Sequence, residues 1–104
     1  MSISEKEYLE NLIVELVLGD KSIAVKIRNL ESIDEDFEQL ILALSKLTIY
    51  YKESKNISKK LSYALFDVIG CFTQSTRFYS EDEVQVLEDK IDRLYEIIIN
   101  LYES

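Results

Sequence analysis

The sequence predicts an all-α protein with a single domain over residues 1–104, folded as an antiparallel up-down four-helix bundle. Proline is absent and only two glycines occur, so turns that need these residues are few. Four segments carry apolar side chains at intervals of three and four residues, which places them on one stripe of an α-helix. Because each stripe must be buried, four antiparallel helices around one core are the simplest arrangement. The predicted helices, the first of them shorter than the rest, cover roughly residues 4–18, 33–53, 56–76 and 80–103.

The first helix is predicted to begin at Ser2 or Ser4, since each serine has a glutamate three residues later, as in a capping box. Gly19 is expected to end this helix as a left-handed residue. The apolar pattern that follows is short and mixed with polar residues, so residues 20–32 are predicted to form a loop with about two helical turns. The buried stripe of the first helix is predicted to hold Leu9, Leu12, Ile13, Leu16 and Val17.

The second helix is predicted to start near Ser32 or Asp34, where acidic residues in the first turn complement the helix dipole. Leu42 and Ile49 lie outside its apolar stripe. Either residues 20–32 fold back over these two side chains, or the side chains face another chain. The stripe itself is predicted to hold Phe37, Leu40, Ile41, Leu44, Leu47, Thr48 and Tyr51.

The third helix is predicted to run antiparallel beside the second, because the turn between them at residues 54–56 is short. Asn56 is its predicted N-cap. Gly70 lies inside this helix, at a cost of roughly 1 kcal/mol relative to alanine. The predicted buried residues are Leu61, Ala64, Leu65, Val68, Ile69 and Phe72, with Cys71 at the edge.

The fourth helix is predicted to start at Ser80, whose hydroxyl can accept a hydrogen bond from the backbone N–H of Glu83. Tyr79 is expected to pack on Val84 as a hydrophobic staple. The apolar stripe that follows is predicted to be buried and holds Val84, Leu87, Ile91, Leu94, Ile98 and Leu101.

Composition argues against catalysis and against nucleic-acid binding. The formal net charge is −8, whereas nucleic acids and anionic lipids attract an excess of Lys and Arg. Histidine is absent and Cys71 is the only cysteine. Asp89, Asp92 and Glu96 are interleaved with basic residues, and an Asp89–Arg93 pair on a solvated helix face accounts for them. We therefore predict no catalytic residue, no metal site, no cofactor and no nucleic-acid partner.

A cytoplasmic location is expected. No apolar segment approaches the roughly twenty residues that span a bilayer, and the first residues do not resemble a signal peptide. A single cysteine also suits a reducing compartment.

Two surface features are candidates for binding a partner. A lysine cluster surrounds the turn between the second and third helices, where it either attracts anionic headgroups or an acidic partner, or compensates helix dipoles at a solvated turn. Tyr63 and Phe66 point away from the stripe of the third helix. They either form an exposed aromatic patch or pack against the first helix or residues 20–32. The cluster comprises Lys46, Lys52, Lys55, Lys59 and Lys60.

The junction between the last two helices carries a resemblance to a known family. An aromatic-rich helix ends there, and Arg77-Phe78-Tyr79-Ser80-Glu81-Asp82-Glu83 opens the leucine-patterned last helix. With its size near a hundred residues, the chain resembles the immunity proteins of class IIa (pediocin-like) bacteriocins, although it is more acidic than some of them. The resemblance implies a cytoplasmic four-helix bundle that protects a cell from a bacteriocin at the inner side of the mannose phosphotransferase permease. It also implies that specificity lies in the C-terminal half.

The sequence therefore favours a bacteriocin immunity protein that acts by binding, as a monomer or weak dimer, to the complex of bacteriocin and receptor permease, with peripheral membrane contact. The predicted partner-binding residues are Lys55, Lys59, Lys60, Tyr63, Phe66, Arg77, Phe78 and Tyr79. The alternative is a small helical adapter or antitoxin-like protein that oligomerises through Leu42, Ile49 and the Tyr63–Phe66 patch. A third hypothesis, a helical metal- or cofactor-dependent enzyme, would require bound metal in the purified protein.

Overall fold

The computed structural model describes residues 4–20, 22–29, 31–52, 56–75 and 80–103, and these residues form an all-α bundle. Within them lie four long helices and one short helix, with no strand. This confirms the predicted fold class. The helices are α1 (Glu5–Leu18), α2 (Ile23–Arg28), α3 (Asp34–Tyr51), α4 (Lys59–Ser75) and α5 (Glu81–Glu103).

Serine hydroxyls cap three of the long helices. The Ser4 and Ser80 hydroxyls each accept a hydrogen bond from the backbone N–H three residues later, at 3.2 Å and 3.4 Å, as predicted. For α4 the predicted cap was wrong. The helix begins three residues after Asn56, and the hydroxyl of Ser58 accepts from the backbone N–H of Leu61 at 3.3 Å. The predicted staple residue Tyr79 lies outside the described residues.

Gly19 ends α1, but its backbone is extended (φ −74°, ψ 176°), so the predicted left-handed conformation was wrong. Glycine is required there for a different reason. A β-carbon would lie 2.5 Å from the carbonyl oxygen of Glu15, which accepts the Gly19 N–H at 3.0 Å. The chain then enters α2, capped by the Ser22 hydroxyl, and this helix is the short helical piece expected in residues 20–32.

The long helices alternate in direction along the chain, up, down, up and down. The Phe37 ring, near the start of α3, meets the Phe72 ring, near the end of α4, with centroids 5.9 Å apart in an edge-to-face arrangement. Thus α3 and α4 are antiparallel, as predicted, but they do not lie side by side. Each instead packs beside α1 and α5, so that α3 and α4 face each other across the core.

Helices α3 and α5 are consequently neighbours and run parallel. Two ion pairs join them in the same order along both helices: Lys90 with Asp34 at 3.1 Å, and Arg93 with Glu38 at 2.6 Å. The predicted Asp89–Arg93 pair was wrong, because the Arg93 guanidinium binds Glu38 through two nitrogens instead. This hydrogen bonding holds the pKa of the Glu38 carboxyl below its ordinary value.

Most members of the predicted stripes form a single core, but Val84, predicted to be buried, is only half-buried and lies outside it. Leu42 and Ile49 remain outside it, with 58% and 74% of their surfaces exposed. Helix α2 packs against α1 and α4, so residues 23–28 do not cover these two side chains. The largest fully buried side chains are Ile13, Ile23, Ile27, Phe37, Leu40, Leu44, Leu47, Leu61, Leu65, Phe72, Leu94 and Leu101.

Candidate partner-binding surface

Tyr51 holds together the end of the bundle that carries the lysine cluster. Its side chain is 2% exposed, and its hydroxyl donates to the carboxylate of Glu10 on α1 and accepts a backbone hydrogen bond from Ser58, just before α4. The ammonium group of Lys6 lies 4.3 Å from the centre of the Tyr51 ring. Burial, with the Glu10 hydrogen bond second, raises the pKa of Tyr51 to about 12. Tyr51 was predicted to lie in the core, and it is buried there. Periodicity does not reveal the hydrogen-bond partners of its hydroxyl, which are Glu10 on α1 and Ser58 just before α4.

In the folded protein the lysine cluster has acidic neighbours that are distant from it in the sequence. Lys59 and Lys60 are exposed at the start of α4, and Lys52 is exposed at the end of α3. The start of α1 lies at the same end, because Tyr50 hydrogen-bonds to Glu5 and Tyr51 to Glu10. Carboxylates of α1 therefore share this end of the bundle with the lysines. Lys55, Arg77, Phe78 and Tyr79, which complete the predicted site, lie outside the described residues.

Tyr63 and Phe66 point into solvent, with 64% and 84% of their surfaces exposed. The alternative prediction, that they pack against α1 or residues 20–32, was wrong. The adjacent helix α5 exposes three more large side chains at a spacing of four and three residues. They are Tyr95, Ile99 and Tyr102, which are 42%, 49% and 51% exposed.

One hydrogen bond sets the register between these two groups of side chains. The Tyr102 hydroxyl donates to the Ser62 hydroxyl at 3.0 Å, so this side of α5 faces α4. With a rise of 1.5 Å per residue, and the helices antiparallel, Phe66 and Ile99 lie about 6 Å and 4.5 Å from this bond in the same direction. The five side chains therefore share one surface, the α4–α5 face: Tyr63, Phe66, Tyr95, Ile99 and Tyr102.

No protein-family model, no curated protein and no solved structure matches this chain. The character of the α4–α5 face therefore has to be taken from its own chemistry. Aromatic side chains offer large, rigid contact surfaces, and tyrosine adds a hydroxyl that tolerates both water and a partner. Such residues are enriched among those that contribute most to protein–protein binding.

Two further observations bear on what this arrangement can do. Within the described residues, no group of three or more Cys, Asp or Glu side chains is placed to hold a metal ion. None of the described helices combines the length and the apolar character needed to cross a bilayer. What the described surface does offer is apolar and aromatic contact area.

A second apolar area lies on α3, away from the α4–α5 face. Leu42 and Ile49 are exposed on its outer side, and Leu42 lines a shallow groove together with Tyr8 of α1. Helices α3 and α4 lie diagonally opposite each other in the bundle. The outer side of α3 and the α4 part of the α4–α5 face therefore point in different directions.

Proposed function

We propose that this protein binds another protein through the α4–α5 face and acts as an immunity protein against a class IIa bacteriocin. The observation that carries the proposal is the exposure of five large apolar or aromatic side chains across two adjacent helices. Both helices belong to the C-terminal half, to which the family resemblance assigns specificity. The partner under this proposal is the complex of bacteriocin and mannose phosphotransferase permease at the inner side of the membrane.

The physics of the face supports a binding role. Each square ångström of apolar surface that a partner removes from water contributes about 25 cal/mol, before the costs of association. Phe66 offers the largest gain, since 84% of its surface is in water in the free protein. Lys59 and Lys60 are exposed in the first turn of α4, within four residues of Tyr63, where they can contact anionic headgroups or an acidic partner.

Expression in a strain sensitive to class IIa bacteriocins tests the proposal. We expect resistance to at least one peptide in a broad panel, and loss of that resistance in Phe66→Ser and Ile99→Ser. Ile49→Ser is the matched control, because Ile49 is 74% exposed on α3 and outside the α4–α5 face. Far-ultraviolet circular dichroism checks that all three variants fold. Absence of protection across the panel would refute the immunity function, and equal loss in Ile49→Ser would refute the assignment to this face.

The exposure of Leu42 and Ile49 favours one other function, a helical adapter or antitoxin-like protein that self-associates. Light scattering distinguishes the two. A tight dimer that Leu42→Lys converts to a monomer supports the adapter, and a monomer at the highest soluble concentration argues against it.

A further inference from the structure

A groove between α3 and α5 lies at the opposite end of the bundle from the lysine cluster. It has a volume of about 340 Å³ and is formed where the chain enters α3 and where α5 begins. Ile33, Val86 and Leu87 supply its apolar part. Ile33 and Leu87 are nearly buried, whereas 55% of the Val86 surface is exposed. Val86 thus adds exposed apolar surface to a groove that lies beside two acidic helix starts.

Carboxylates surround these apolar side chains. Asp34 is paired with Lys90, the one basic residue among the described residues that line the groove. Glu31, Asp82 and Glu83 also line it, and none of them forms one of the three ion pairs in the described part of the chain. Both Asp82 and Glu83 are exposed, so their charges act on molecules that approach from solvent.

We propose that this acidic groove is a docking site for a basic amphipathic segment of a protein partner. An apolar side chain of that segment would lie against Val86 and Leu87, while its lysines or arginines would contact Glu31, Asp82 and Glu83. Charge complementarity selects the partner and speeds its approach, and the apolar contact adds affinity. Anionic membranes and nucleic acids carry the wrong charge for this rim.

The acidic groove is separate from the α4–α5 face, and its assignment does not rest on the proposed immunity function. Along α5, Val86 and Ile99 are thirteen residues apart, which corresponds to about 20 Å. The two positions also lie on different sides of the helix, since Val86 faces the α3 groove and the Tyr102 side of α5 faces α4.

Binding of three labelled peptides to the full chain tests the proposal. The first is an amphipathic peptide with leucines at helical spacing and lysines elsewhere; the second replaces every leucine with serine; the third replaces every lysine with glutamate. Fluorescence anisotropy gives the affinities, and amide chemical shifts locate the contact. We expect binding of the first peptide alone, with the largest shift changes at Ile33, Val86 and Leu87.

Matched variants sharpen this test. Combining Asp82→Asn with Glu83→Gln should weaken binding of the leucine–lysine peptide about tenfold, and Val86→Ser should weaken it severalfold. The control combines Asp92→Asn with Glu96→Gln, which removes the same charge from exposed positions on the same helix. It should change the affinity by less than about twofold.

Every alternative result overturns the proposal. Equal binding of the serine peptide, or equal weakening in the control variant, would mean that the acidic protein attracts cations without a defined site. Shift changes centred on the α4–α5 face would place the contact elsewhere. Absence of binding by the leucine–lysine peptide would remove the docking site, and circular dichroism spectra identical to that of the parent protein guard against misfolded variants.

Discussion

Replacement of Tyr51 with phenylalanine tests the hydrogen bonds that join α1, α3 and the start of α4. The substitution keeps the buried ring and removes only the hydroxyl, which donates to Glu10 and accepts from Ser58. At neutral pH we expect a loss of about 1.5 to 3 kcal/mol in the free energy of unfolding, the range for hydrogen bonds to charged groups.

The pH dependence of this loss follows from the raised pKa. The pKa of Tyr51 is about 12 in the folded protein and near 10 in the unfolded chain. The protonated hydroxyl is therefore favoured by folding. Its contribution is fully present below pH 10 and is lost as the pH rises through about 12. Two pKa units correspond to about 2.7 kcal/mol, so the advantage of the parent protein over the Tyr51→Phe variant should decline by up to that amount across this window.

Urea unfolding of both proteins at several pH values measures this difference, because other tyrosines and the lysines contribute equally to each. A spectrophotometric titration of tyrosinate provides the direct check, because the parent protein should show one more late-titrating phenol than the variant. A stability difference that stays constant between neutral pH and pH 12 would refute the assignment of a buried, proton-donating Tyr51. The same conclusion would follow if the phenol lost in the variant titrated near pH 10, as an ordinary tyrosine does.

Five further substitutions test the packing, the two glycines and the α4 cap. Phe72→Ala should lower the free energy of unfolding by about 3 to 5 kcal/mol in urea denaturation, whereas Phe66→Ala, at an exposed position, should change it by less than about 0.5 kcal/mol. Gly70→Ala should be neutral or stabilise by up to about 1 kcal/mol, because nothing lies within 4 Å of the added β-carbon. Gly19→Ala should instead lower the melting temperature, since its β-carbon would lie 2.5 Å from a backbone carbonyl oxygen. Ser58→Ala should cost about 1 kcal/mol in the same assay, and no effect would contradict its role as the α4 cap.

Periodicity predicted the helices and their buried sides well. The stripe from Leu87 to Leu101 is repeated at every turn, so no local alternative competes with it. The same pattern identified Leu42 and Ile49 as outside the core, and their exposure shows that the described residues of the 20–32 segment do not cover them. An apolar stripe indicates which side chains are buried, however, and does not indicate which neighbouring helix covers them.

For that reason the surface was only partly predictable. Tyr63 and Phe66 stood out because they oppose a clear stripe. The exposed side chains of α5 lie beside its buried stripe. At such positions the sequence does not show whether a neighbouring helix covers the side chain or leaves it in solvent. Their grouping with α4 depends on the bond between Tyr102 and Ser62, forty residues apart.

The diagonal placement of α3 and α4 also explains why the charges on α5 have their observed partners. If the helices followed one another around the bundle in chain order, α5 would lie across the core from α3. In the observed order the two helices are parallel neighbours, so their dipoles point the same way and their acidic first turns lie at the same end.

This arrangement is electrostatically unfavourable unless cations bridge it, and Lys90 and Arg93 provide that bridge to Asp34 and Glu38. The sequence predicted that these basic residues balance acids of their own helix, but they join the two parallel helices instead. The acidic groove is thus a direct consequence of the diagonal placement of α3 and α4, because helices arranged in chain order would have kept the starts of α3 and α5 apart.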